Sequence, residues 1–252
     1  DDTAKVTSAV EQPSNPGANT FKSRVYMPGV NGAVKVGPAT ISGFFMYQFG
    51  KIDPVNQPTV SSIDIQAFMV DLRGDMKVGP GNAFIEGIYL SGSSDPQNKY
   101  KAPITLATRE ASPGGNSSFT RLESYQMLAS PDTINVSQCL VGCSGAEVSS
   151  DPGANGRGIT AGAVGYKQKV TQRITGSGSF VYLAATDRLT TDTGTSDTMG
   201  YELNARVDYN IYKGLDVGGV GSYMWIGDFF KDSAGDVPKN PWTVYARINY
   251  AF

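Results

Sequence analysis

The stretch Trp242-Thr243-Val244-Tyr245-Ala246-Arg247-Ile248-Asn249-Tyr250-Ala251-Phe252 decides the fold. One parity reads Trp242, Val244, Ala246, Ile248, Tyr250 and Phe252; the other reads Thr243, Tyr245, Arg247, Asn249 and Ala251. A period of two is that of a β-strand with two unlike faces. The first face is apolar with aromatic residues at both ends, and the second carries a charge and polar groups. This suits a strand that crosses a membrane with its aromatics at the two interfaces. A half-exposed edge strand of a soluble sandwich alternates as well, so the remaining chain must choose between the two.

Working outward, residues 199–211 repeat the design. Met199, Tyr201, Leu203, Ala205, Val207, Tyr209 and Ile211 alternate with Gly200, Glu202, Asn204, Arg206, Asp208 and Asn210. A tight turn at Tyr212, Lys213 and Gly214 leads into 215–227, where Leu215, Val217, Gly219, Gly221, Tyr223 and Trp225 share a parity, which predicts a hairpin. Upstream, Ile174, Gly176, Gly178, Phe180 and Tyr182 form an outward row. Val164, Tyr166 and Val170 form another, against inward Lys167 and Lys169, with a turn near 171–173. The motif Lys35-Val36-Gly37-Pro38 recurs as Lys77-Val78-Gly79-Pro80, each time marking a tight turn between alternating segments. The rows around it, at 21–35, 40–49, 68–75 and 85–90, are less clean.

Tight turns alternate with long polar connections at 51–61, 93–157, 187–197 and 228–240. Membrane barrels have this asymmetry, with short periplasmic turns and long outer loops. The fold predicted is therefore all-β, a transmembrane antiparallel up-and-down barrel, with 1–252 as a single domain and 93–157 as a long extracellular loop insertion. Counting back from a periplasmic C-terminus gives about nine crossings, an odd number where bacterial single-chain barrels are even. Either N-terminal strands are absent from this sequence, which is the expectation adopted, or a strand lies in 4–10 or 119–128.

Composition agrees. The chain has 252 residues, 40% hydrophobic and 17% charged, with net charge −2. It is neither disordered nor a polybasic nucleic-acid binder. No stretch reaches the roughly 18 apolar residues of a membrane helix, whereas a barrel strand needs only about 9–11 alternating ones. The aromatic residues (Tyr 13, Phe 11, Trp 2) concentrate in the outward rows rather than beside a basic groove. Cys139 and Cys143 allow a redox pair, a metal site or a disulfide. With no His and no second Cys pair, a structural disulfide is expected, which points to an oxidising compartment.

The terminal row ending in Phe252 resembles the closing strand of bacterial outer-membrane proteins, in which Trp242, Tyr250 and Phe252 would serve as the assembly signal. Gly200-Tyr201-Glu202-Leu203-Asn204-Ala205 through Tyr209, Lys213-Gly214-Leu215 and Gly227-Asp228-Phe229-Phe230 is similar to the closing strands of alginate-export-type porins. Leu72-Arg73-Gly74-Asp75 and Gly92-Ser93-Ser94-Asp95 resemble their mid-barrel hairpins. The resemblance implies a wide barrel in the Gram-negative outer membrane, a charged lumen, and diffusion of a small polar or anionic solute or a polysaccharide. It also implies as partners outer-membrane lipid and lipopolysaccharide, the barrel-assembly machinery and a small polar solute. A homo-oligomer is left open, and no nucleic acid and no cofactor are expected.

Without His, the Ser-His and Cys-His routes to nucleophile activation are closed, and an enzyme is not expected. The Asp-rich loops (Asp187, Asp192, Asp197; Asp228, Asp232) lack the spacing of a calcium-binding loop and read as solvated. An Arg or Lys facing lipid at mid-bilayer costs about 2–4 kcal/mol. Lys22, Arg24, Asp71, Arg73, Asp75, Glu86, Lys167, Lys169, Glu202, Arg206, Asp208 and Arg247 are accordingly expected to line the lumen and tune its selectivity. The alternative is a non-conducting barrel that acts as a scaffold or sheath for a partner protein.

Overall fold

The computed structural model describes residues 20–55, 61–94, 99–103, 157–188, 192, 194 and 196–250. Eleven strands form one sheet: β1 (Thr20–Tyr26), β2 (Gly29–Val36), β3 (Ala39–Val55), β4 (Ile63–Val78), β5 (Gly81–Leu90), β6 (Lys99–Tyr100), β7 (Ile159–Lys169), β8 (Ile174–Ala185), β9 (Thr198–Tyr212), β10 (Leu215–Ile226) and β11 (Trp242–Tyr250). A 3-10 turn, Asp228–Phe230, follows β10. The sheet order is β1-β3-β4-β5-β7-β8-β9-β10-β11, antiparallel throughout, with β2 on β3 and β6 beside β4. This is the up-and-down meander of a β-barrel wall.

β1 and β2 pair with β3 in one unbroken register, Tyr26 opposite Phe49 and Gly29 opposite Met46, and are one strand interrupted at Met27-Pro28. Proline has no N–H to give the ladder. Among the described residues the meander therefore has nine strands, the number that the alternation predicts. β1–β2 and β11 are its edges, and both run from the long-loop end to the tight-turn end. The repeated Gly-Pro turns close β2–β3 and β4–β5, with Gly37 and Gly79 at φ 59° and 56°, a left-handed conformation open to glycine at no steric cost.

The two faces differ as the alternation requires. Phe68, Val70 and Leu72 of β4 point to the exposed outer face, and Ile65, Ala67 and Met69 to the buried inner one. The inner face is itself divided along its height. Toward the long-loop end it is apolar, built from a buried cluster that includes Met46, Met69, Ile88, Leu90, Ala161 and Leu183. Toward the tight turns it is polar and charged. The outer face carries two aromatic belts. Tyr26–Phe49, Phe68–Tyr89 and Phe180–Tyr201 stack at 5.3, 5.2 and 5.9 Å near the long-loop end, and Tyr209, Tyr212 and Tyr250 stand exposed near the other. Tyr201 and Tyr209 are 8 residues apart, about 27 Å along the strand. That is the scale of an apolar band about 25 Å tall.

Two expectations are corrected. Met199 does not head the outward row of β9. Pairing with β8 skips it, Leu183 facing Gly200 and Ala184 facing Thr198, so the bulge turns Met199 into the buried inner cluster. Gly200, at φ 147°, supplies the backbone geometry. The connection expected at 51–61 is shorter, because β3 continues to Val55. The insertion 93–157 begins with structure: β6 runs parallel to β4, Asp64 opposite Lys99, and the Ser91 and Ser93 hydroxyls donate to the carbonyls of Lys101 and Lys99 at 2.6 and 3.1 Å. Cys139 and Cys143, the bulk of that insertion, the segments 4–10 and 119–128, and Phe252 lie outside the described residues.

Candidate pore lining and membrane face

In an antiparallel ladder, residues directly opposite one another share a face. Ser42, Arg73, Glu86, Ala163, Val181 and Glu202 therefore form one inner rung across β3 to β9. Arg73 is its centre. Its Nε donates to Asp75 Oδ2 at 2.9 Å, its Nη1 to Glu86 Oε2 at 3.3 Å, and its guanidinium lies 4.2 Å from the centroid of Phe84. Asp71, one rung toward the long loops, has a buried Oδ1 without a hydrogen-bond partner. The β4–β5 wall thus holds three carboxylates around one guanidinium.

Further inner charges sit on β7 to β11 and at the tight-turn rim. Arg206 donates to Asp208 at 2.7 Å within β9. Asp208, Gly218 and Arg247 occupy one rung, and the absence of a side chain at Gly218 lets the Asp208 carboxylate lie over that backbone: a Cβ there would be 2.5 Å from Asp208 Oδ1. Lys167 and Lys169 keep the inward parity but stand exposed at the tight-turn rim. Lys35 and Lys77 share that rim and parity, opposite Thr40 and Asn82, and Asp216 accepts from Asn210 Nδ2 at 2.8 Å. These three are absent from the expected lining, although the alternation that marks Val36, Val78 and Val217 as outward also marks Lys35, Lys77 and Asp216 as inward.

Two acidic side chains expected as open lining are covered. Glu202 is 0% exposed and Glu86 6%, so each is part of the packed wall rather than a group facing free water. Arg24 is a full correction: it lies opposite Lys51, two residues from the outward pair Tyr26–Phe49, on the outer face. The pairing carries Lys22 to the same parity, opposite Asp53. The alternation within β1 alone does not say which face is outward; its partner strand does. Trp242 and Tyr250 are exposed on the outer face, and Arg247 is on the inner one with Tyr245.

At the long-loop end, the connections meet. Arg157 pairs with Asp192 and lies 5.8 Å from the centroid of Phe229, itself buried in the inner apolar cluster. Asp187 N donates to Arg157 O at 2.8 Å, and Ser94 N to Asp187 Oδ2 at 3.2 Å.

No family model matches the sequence, and no curated protein does. Among solved structures, the outer membrane channel DcaP of Acinetobacter baumannii is similar at TM-score 0.47 and 13% identity over 96% of this chain and 55% of that one. The outer membrane protein opdK of Pseudomonas aeruginosa is similar at TM-score 0.44 and 11% identity over 90% of this chain and 49% of that one. The chain spans about half the length of each of these structures.

Proposed function

We propose that this chain is wall and lining of an outer-membrane channel for passive diffusion of small polar or charged solutes, saccharides among them. One observation carries the reading: a nine-crossing meander with an apolar, aromatic-belted outer face holds, on its opposite face, ion-paired Arg73, Asp75 and Glu86 together with Arg206, Asp208 and Arg247. Lipid suits an outer face of this polarity, and water or polar protein suits the charged, tight-turn half of the inner face. Curving the sheet sets the acid-rich β4–β5 wall apart from the wall bearing Arg206 and Arg247, with the lysines at one rim. Mixed signs give slight net selectivity, strengthened where like charges cluster. The kinship with alginate-export-type porins belongs to the same proposal and rests on residues 200–215 and 227–230.

Single-channel recording of the full-length protein in planar bilayers tests it. Discrete conductance with a small reversal potential in a salt gradient is expected, and a protein that inserts without conducting overturns it. The non-conducting scaffold has one observation in its favour, the fully covered apolar inner wall around Met69, Leu90 and Leu183; insertion without conductance is its signature.

A further inference from the structure

The outer face holds one feature that a channel does not need. Arg24 of β1 and Lys51 of β3 are directly opposite each other, both exposed, and both on the face that carries Tyr26 and Phe49. Like charges directly opposite on one face destabilise a sheet. The strands are held close at this point, since a Cβ at the neighbouring Gly50 would collide with the Arg24 carbonyl oxygen. Asp64, opposite Lys51 on β4, and Asp53, two residues along β3, share the outward parity. Among the described residues, neither forms an ion pair with either cation.

The surroundings select the anion. One step toward mid-membrane, Tyr26 and Phe49 stack at 5.3 Å, and Tyr47 adds a ring 5.8 Å from Phe49. Beyond them Val30 faces Phe45, both exposed. The two cations thus cap a column of aromatic and aliphatic surface at the level where headgroups meet hydrocarbon, above one of the aromatic belts. A ligand matching both parts has a phosphate at one end and a hydrocarbon chain at the other.

We infer that Arg24 and Lys51 bind the phosphate of an anionic lipid headgroup in the leaflet at the long-loop end, with an acyl chain along Tyr26, Phe49 and Phe45. The inference rests on the membrane-barrel reading above. The phosphate oxygens bridge the two cations, turning their mutual repulsion into a shared attraction, and Arg24 contributes the planar fork suited to that geometry.

The test is native mass spectrometry of the full-length protein from mixed micelles containing phosphatidylglycerol or phosphatidylcholine, with conductance recorded on the same preparations. Wild type should retain phosphatidylglycerol over phosphatidylcholine. Arg24→Gln or Lys51→Gln should each cut that preference about fivefold, the double replacement should abolish it, and the charge-keeping exchange R24K/K51R should preserve it. Equal retention of the two lipids by a conducting wild type, or a double variant that retains phosphatidylglycerol like wild type, overturns the lipid site and leaves the channel standing. Displacement of phosphatidylglycerol by millimolar inorganic phosphate also overturns it, in favour of a free-anion site. A wild type that fails to insert into bilayers overturns both readings.

Discussion

Arg157 and Asp192, 35 residues apart in the chain, meet at the long-loop end with Nε donating to Oδ1 at 3.0 Å. Their side chains are 16% and 6% exposed, so the pair is largely removed from water. Breaking a buried pair from one side costs about 3–5 kcal/mol, because the remaining charge stays buried without its partner. Arg157→Ala and Asp192→Ala are each expected to destabilise the protein at the lower end of that range. The double variant should cost clearly less than the sum. Urea unfolding of the full-length protein in detergent measures all three, and additive losses would show that the pair does not tie these connections together.

Arg73 and Arg247 lie on the same face yet should respond differently to loss of charge. Arg73→Ser strips Asp75 and Glu86 of their shared cation, and Glu86 is nearly fully buried. A cost of about 2–3 kcal/mol is expected, alongside a shift of reversal potential toward cations. Arg247, on the less covered edge strand, should give the same direction of shift from Arg247→Ser with a stability change within about 0.5 kcal/mol. Adding Glu86→Gln to Arg73→Ser should recover part of the lost stability. Reversal potentials that move toward anions in either variant would put these guanidiniums outside the conduction path.

How much of this is legible from sequence depends on the contrast between faces. On β9, β10 and β11, inner Asn204, Arg206, Asp208 and Arg247 oppose outer Leu203, Val207 and Ile248, and the alternation gives strand and register together. In the long-loop halves of β4, β5, β7 and β8 the inner residues are Met69, Leu90, Ala161 and Leu183, as apolar as the outer ones. A buried inner face erases the period-two signal, so those rows look irregular and the sequence does not reveal an apolar inner wall. Arg24 shows a second limit: a strand read alone has two parities, but only pairing with Lys51 and Phe49 tells which is outward. Met199 shows a third, since a one-residue bulge at Gly200 inverts the face of everything before it.

Gly218 tests the close approach between β9 and β10. A Cβ at this position would come 2.5 Å from Asp208 Oδ1 and 2.8 Å from the carbonyl oxygen of Val207, which is backbone and cannot swing away. Gly218→Ala should therefore push the strands apart or displace the Asp208 carboxylate from its 2.7 Å contact with Arg206. A loss of about 1–3 kcal/mol is expected. The control, Gly219→Ala, points outward into open space and should cost less than about 0.5 kcal/mol. Equal unfolding midpoints for the two variants would show that the carboxylate does not need this gap.

Placing one charge on opposite faces of the sheet tests the membrane reading itself. Leu72 is 59% exposed at mid-height on the outer face of β4. In a soluble sheet Leu72→Arg would be a surface substitution within about 0.5 kcal/mol. In a bilayer the same guanidinium meets hydrocarbon and costs about 2–4 kcal/mol. Ser177 of β8 lies on the inner rung with Lys167 and Arg206. There, Ser177→Arg sets a third cation between two others, a like-charge cost of up to about 1 kcal/mol, smaller than that of a guanidinium in hydrocarbon, while raising anion preference. The two variants therefore separate from the same added charge: Leu72→Arg takes the larger loss of stability in lipid without moving selectivity, and Ser177→Arg moves selectivity at the smaller cost. Unfolding from phospholipid vesicles, paired with reversal potentials, reads both. If Leu72→Arg proves neutral in vesicles, lipid does not cover the outer face at this height; if Ser177→Arg leaves the reversal potential unmoved, ions do not pass along the inner one.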